Sequence, residues 1–183
     1  MERLFKSLEE IAENISKYRQ ILRVKEVEHF VDLLMNTKRV FVYGVGRSGL
    51  MVKAFAQRLM HVGYEVYVIG ETINPSVKKG DLVVVVSGSG ETTSSVCIGR
   101  KAKEVGAILV VLTSHPESTL GRMADLMIYV LGKTKLVEKE TYAPFTTLFD
   151  ITTMALLDSI VSEIMGRKGI DESVIMEMHA NVE

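Results

Sequence analysis

The sequence predicts a three-layer α/β/α fold on a five-stranded parallel sheet in the flavodoxin-like order 2-1-3-4-5. Three observations carry this. Short runs rich in Val, Ile and Leu alternate with helical stretches, those runs are continuously apolar, and two of them end in glycine-rich turns that lead straight into helices. A continuously apolar strand is what a sheet needs when helices cover both faces. Strand–helix alternation implies parallel neighbours joined by right-handed crossovers.

Each element has its own signal. Leu4, Leu8, Ile11, Ile15, Tyr18 and Leu22 recur at steps of three and four, which predicts an amphipathic helix, and a second helix covers about 25–36. "RVFVYG" is the first strand, "SGLMVKAFAQRLMHVG" a helix closed by Gly63, and "EVYVIG" the second strand. The connection "ETINPSVKKG" shows no helical period, so this crossover is expected to differ from the others. "DLVVVVSG" is the third strand, "TTSSVCIGRKAKEVG" a helix closed by Gly106, "AILVVLTS" the fourth strand and "ADLMIYV" the fifth. A long helix is expected to start near Pro144, which suits a first helical turn, and a last one near Asp171. No linker or repeat interrupts the chain. Residues 1–183 therefore read as one domain, with N-terminal helices over 1–36 and an α/β core with C-terminal helices over 37–183.

Composition narrows the function. A net charge of −1 carries no basic footprint, so nucleic acid is not an expected partner. Cys97 is the single cysteine, which rules out an intrachain disulfide and fits a reducing compartment. The first fifteen residues carry acids throughout, unlike a signal peptide, and no apolar run approaches membrane-spanning length. The expected location is the cytoplasm.

The chemistry concentrates in two loops. Gly44, Gly46 and Gly49 spell G-x-G-x-x-G after the first strand, and Glu71 follows at about the distance a dinucleotide fingerprint expects for a ribose. That pattern alone leaves a nicotinamide protein open. The third strand, however, ends in "SGSGETTSS", and in this sheet order the first and third strands are neighbours whose connections leave to opposite faces. Both loops then line one crevice. Gly46, Arg47 and Ser48 from the first loop, with Ser87, Gly88, Ser89 and Thr92 from the second, supply backbone N–H groups, hydroxyls and one full positive charge at helix N-termini. A phosphate monoester suits this set.

"GVGRSG", "SGSGET" and the C-terminal "MHANVE" resemble the sugar isomerase (SIS) domain family, and the resemblance extends over essentially the whole chain. Within that family "QRLMHVGYEVYVIGETINPS" and "DSIVSEIMGRKGIDES" are most similar to its 6-phospho-3-hexuloisomerase members. The resemblance implies interconversion of D-arabino-hex-3-ulose 6-phosphate and fructose 6-phosphate, a reaction of the ribulose monophosphate pathway. It proceeds through an enediol or enediolate and requires no metal or redox cofactor. It also implies a homotetramer. The alternatives are a non-catalytic sugar-phosphate sensor, another SIS phosphosugar isomerase and, more distantly, a nicotinamide-dependent oxidoreductase.

Three residues are candidates for proton transfer. Asp150, Met154, Leu157, Val161 and Ile164 share one stripe of a helix, which puts the Asp150 carboxylate on its apolar face in the first turn. "PFTTLFD" resembles a family segment that normally ends in Glu, so this chain carries an acid shorter by one methylene. His61 lies about 20 Å along its helix from the first loop, so it either packs at the helix end or reaches a neighbouring subunit's site. "RLMHVG" resembles a family segment whose histidine is implicated in catalysis, and the resemblance makes His179 of "MHANVE" a further acid–base or substrate-contact candidate. His29 and His115 match no such segment and read as ordinary. Because the four histidines show no i, i+4 pair or Cys/His cluster, no metal site is expected. The helix over 50–62 is apolar nearly all round, and the cover it needs is expected from subunit association.

Overall fold

The computed structural model describes residues 1–134 and 140–182. Its sheet has the order β2-β1-β3-β4-β5 and every ladder is parallel. The strands are β1 (Arg39–Gly44), β2 (Glu65–Val68), β3 (Leu82–Val86), β4 (Ile108–Thr113) and β5 (Leu126–Tyr129). The helices are α1 (Glu2–Ile21), α2 (Val24–Asn36), α3 (Arg47–His61), α4 (Thr93–Glu104), α5 (Thr119–Met123), α6 (Thr147–Lys168) and α7 (Glu172–Met178).

Strand periodicity divides the core. Val40, Val42, Leu82, Val84, Val86, Val110 and Leu112 point to one face, where they meet Phe30 of α2, Phe55 and Leu59 of α3 and Leu157, Ile160 and Ile164 of α6. Phe41, Val83, Val85, Leu109 and Val111 point to the other, against Val96 and Ala102 of α4 and Leu120 of α5. Each fully buried Phe or Leu contributes roughly 1.5–3 kcal/mol by leaving water. The second face is the thinner one, because residues 69–81 between β2 and β3 form no helix, as the aperiodic "ETINPSVKKG" implies. Its edge is held instead by an Arg39–Asp81 ion pair of 3.0 and 2.5 Å, a two-point contact that ties the starts of β1 and β3 together.

α1 packs on α6 and is tied by polar contacts as well. The Tyr18 hydroxyl donates to the Tyr129 carbonyl at 2.8 Å, and the Asn14 amide donates to the Leu131 carbonyl at 3.1 Å and to Thr152 Oγ1 at 2.8 Å. The first half of the predicted amphipathic stripe is not covered: Leu4, Phe5 and Leu8 are exposed.

Two local expectations are corrected, and one short helix is new. The long helix starts at Thr147 rather than Pro144, because Phe145 takes a left-handed φ of 44° and Thr147 N–H closes a turn onto the Pro144 carbonyl. A short helix, α5, occupies the β4–β5 connection, capped by the Ser118 hydroxyl. The cover of α3 comes from α6, α7 and the sheet within the same chain, with Leu50 left exposed. The last helix begins as expected, with the Asp171 carboxylate accepting from Ser173 N–H at 2.9 Å. No helix among the described residues is long and apolar enough to cross a membrane.

Candidate active site

α3 and α4 leave neighbouring strands β1 and β3 on opposite faces, so a crevice opens at the C-terminal ends of these strands. The first loop is shaped by close approach. A Cβ on Gly44 would lie 2.7 Å from the Ser48 carbonyl oxygen, and one on Gly49 would lie 2.9 Å from the Gly44 carbonyl oxygen. Gly46, at φ +60°, is the N-cap residue of α3. The second loop packs as tightly at Gly90, where a Cβ would lie 1.9 Å from Ser118 Oγ.

Neither α3 nor α4 has a side chain capping its N-terminus. Their first-turn N–H groups are therefore available to an anion, and both helix dipoles favour one there. The crevice between them is a cavity of about 210 Å³ whose lining includes Gly46, Arg47, Ser48, Ser87, Gly88, Ser89 and Thr92. All seven residues expected to bind phosphate thus converge. Within the loop, Ser87 Oγ lies 3.4 Å from Thr92 Oγ1, and Ser89 Oγ accepts from Glu91 N–H at 3.3 Å. A wider hollow of about 1140 Å³ beside α1 is lined by Glu9, Glu10, Glu13 and Glu140 against Arg3, Lys6 and Lys133. Among the described residues carboxylates outnumber cations there, which disfavours a phosphate.

Asp150 occupies the first turn of α6 and is fully buried. Its carboxylate accepts from Arg47 Nε at 3.1 Å, Ser48 Oγ at 3.3 Å and Thr146 Oγ1 at 2.7 Å. It therefore lies behind the lining residues and joins the first loop to the start of α6. Arg47 is half-exposed and covers it, and no other polar contact holds the guanidinium among the described residues.

His61 and His179 sit at the far end of α3, away from the crevice, and stack on one another with ring centroids 5.6 Å apart. Sequence reading treated them as separate candidates. His61 is 2% exposed, and neither of its ring nitrogens has a hydrogen-bond partner among the described residues. Burial, then the neighbouring His179 and Arg58, hold its imidazole below the ordinary value of 6.5. Because the unfolded chain takes up that proton first, this contribution to stability is complete above pH 6.5 and is lost as pH falls toward the folded-state value. Denaturant midpoints measured between about pH 7.5 and pH 5.5 are expected to fall less in His61→Leu than in the wild type. Equal falls would show that His61 does not set the acid limb.

Other residues carry structural tasks. His115 Nδ1 contacts the Gly88 carbonyl at 3.0 Å, so a histidine read as ordinary fixes the second loop from behind. Glu91 accepts from Thr119 N–H at 2.6 Å at the start of α5. Glu71 pairs with Lys53 at 2.8 Å and lines a different hollow, outside the crevice. No group of three or more His, Cys, Asp or Glu among the described residues could hold a metal ion.

Comparison with known proteins agrees with this geometry. The SIS domain profile matches residues 33–160. A relative from Aeropyrum pernix is 44% identical over 98% of this chain and 92% of its own length. A Bacillus subtilis protein named 3-hexulose-6-phosphate isomerase is 38% identical over 87% of this chain and 88% of its own. The crystal structure of Methanococcus jannaschii MJ1247, described as inferring a molecular function of 3-hexulose-6-phosphate isomerase, has a TM-score of 0.84 at 33% identity and 100% coverage of both chains. Sheet order, paired crevice loops and these matches together place the chain in the SIS domain family.

Proposed function

We propose that the chain is a 6-phospho-3-hexuloisomerase that interconverts D-arabino-hex-3-ulose 6-phosphate and fructose 6-phosphate, acting in the cytoplasm in the ribulose monophosphate pathway. The observation that carries this reading is the crevice itself, which sets a hydroxyl-rich anion loop opposite a buried carboxylate on a neighbouring helix. In the proposed mode the phosphate sits at the start of α4, held by Ser87, Ser89, Thr92 and backbone N–H groups that include Gly88. Gly46, Arg47 and Ser48 close the opposite side, and the sugar extends toward α6.

The reaction moves a carbonyl from C3 to C2. A base takes the C2 proton, the electron pair forms the C2–C3 double bond, and the C3 oxygen gains negative charge or a proton. Collapse of the enediol in the other direction protonates C3 and leaves the carbonyl at C2. Asp150 is the proposed base. It becomes available when the bound substrate draws the Arg47 guanidinium from it, which also brings positive charge to the developing oxyanion. His179, backed by His61, is the proposed acid–base partner in a neighbouring subunit's site. We treat residues 1–183 as one SIS unit that assembles as a tetramer. Exposed Leu4, Phe5 and Leu8 on α1 support association with a second copy, since such a patch is costly in water.

A coupled assay for fructose 6-phosphate formation from the 3-hexulose phosphate tests the activity. Tight hexose phosphate binding without turnover would instead mark a sensor. Ser89→Ala and Thr92→Ala are expected each to raise KM roughly tenfold with kcat changed by less than about twofold, because they remove contacts made equally in ground and transition states. Unchanged KM in both would detach the loop from phosphate.

A further inference from the structure

Two hydroxyls of the crevice have no hydrogen-bond partner among the described residues. Ser95, in the first turn of α4, is 1% exposed, and Thr134, beyond the end of β5, is 3% exposed. Both line the cavity, and neither side-chain oxygen has a hydrogen-bond partner among the described residues. Tyr64 and Thr153 also carry a buried hydroxyl without a partner among the described residues, but neither lines the cavity, and several hydroxyls near the crevice or on its helices are bonded. Ser114 Oγ donates to the Val130 carbonyl at 2.7 Å, Thr113 Oγ1 to the Gly88 carbonyl at 3.2 Å, and Ser159 back-bonds along its own helix to the Ala155 carbonyl at 2.7 Å. A buried hydroxyl without a partner costs about 1–3 kcal/mol. Alanine at 95 or valine at 134 would avoid that cost with little change in shape. Of the four buried hydroxyls without a partner among the described residues, these two are the ones that line the cavity where a ligand of many oxygens is proposed to bind.

We infer that Ser95 and Thr134 are two further substrate contacts, with Ser95 reaching the phosphate and Thr134 a hydroxyl of the sugar. This rests on the sugar-phosphate reading of the crevice. Ser95 shares the first turn of α4 with the residues just after Thr92, so its hydroxyl lies at the base of the proposed anion site. Thr134 stands on another wall. Its methyl carbon is 3.0 Å from where a Cβ on Gly88 would sit, and Phe149 is 3.2 Å from the same point. Gly88 must therefore be bare for Thr134 and Phe149 to pack there. That contact sets Thr134 between Gly88 of the second loop and Phe149 of α6, the residue before Asp150. The two orphan oxygens thus extend the recognised surface from the phosphate toward the sugar chain.

The test combines stability with binding in Ser95→Ala and Thr134→Val. The ligand-free Tm of each variant is expected to equal or exceed that of the wild type, since a buried unsatisfied group has been removed. Calorimetric Kd for fructose 6-phosphate should rise roughly tenfold in each. Inorganic phosphate should bind more weakly to Ser95→Ala and unchanged to Thr134→Val. An unchanged fructose 6-phosphate Kd overturns the assignment whatever the Tm does. A raised Kd together with a lowered Tm also overturns it, because the hydroxyls would then serve the fold, as through an internal water. Changes in phosphate binding in the reverse order overturn the division between the two residues. Since the readout is binding, wild-type binding without turnover would remove the isomerase reading and leave this assignment standing. A wild-type chain that binds neither phosphate nor fructose 6-phosphate removes both.

Discussion

Asp150→Asn lowers kcat about a thousandfold while the Kd for fructose 6-phosphate changes by less than about tenfold. The large first effect follows from the proposed chemistry. An amide cannot take the C2 proton, and removal of a positioned general base costs on that scale. The small second effect follows from the structure. The carboxylate lies behind the cavity lining and touches Arg47, Ser48 and Thr146 rather than the hydroxyl loop that is expected to hold the phosphate. The asparagine oxygen can still accept from Arg47, and the half-exposed guanidinium finds water for its remaining donors. Steady-state kinetics and calorimetry on the same preparation decide it. Full activity in Asp150→Asn would remove the residue from the mechanism. Loss of binding in step with loss of turnover would make it a support for the loop.

An equal mixture of Asp150→Asn and His179→Ala chains, each inactive alone, regains activity when co-expressed. The reason is geometric. His179 is exposed and stacks on His61 at the far end of α3, about 20 Å along the helix from the crevice of its own chain. If His179 serves the crevice of an adjacent chain, some sites in the mixture combine an intact Asp150 from one subunit with an intact His179 from another. Random assembly makes about one site in four complete. Activity near that fraction of wild type, against a background near zero in each parent, is the expected result. A mixture as inactive as its parents, in chains shown by light scattering to associate, would refute sharing between subunits.

The fold was legible in the chain because its signals are local and repeated. Val/Ile/Leu runs mark strands buried on both faces, and the absence of helical period in "ETINPSVKKG" marks the connection without a helix. The two crevice loops were legible because glycines and hydroxyls cluster beside strand ends. What escaped has a different character. Ser95 closes the "SGSGETTSS" run and Thr134 carries no motif, but their lack of partners among the described residues is a property of the packed interior rather than of sequence spacing. The stack of His61 on His179 joins residues at opposite ends of the fold's sequence, so no periodicity could bring it out. The apolar circumference of α3 pointed to a subunit interface, yet the sheet together with α6 and α7 of the same chain covers much of it. Helix faces reveal that cover is needed and not which element provides it.

The entirely parallel sheet also bears on how the crevice comes into being. Val40 of β1 pairs with Leu82 of β3, and no hairpin joins any two strands. Every ladder therefore waits on closure of a long chain segment, a topology that slows folding relative to local pairing. The β1–β3 seam is one of these distant pairings, and both crevice loops lie at its C-terminal end. Half-folded chains thus present no ligand site, and a bound phosphosugar would protect the molecule against global unfolding rather than local fraying.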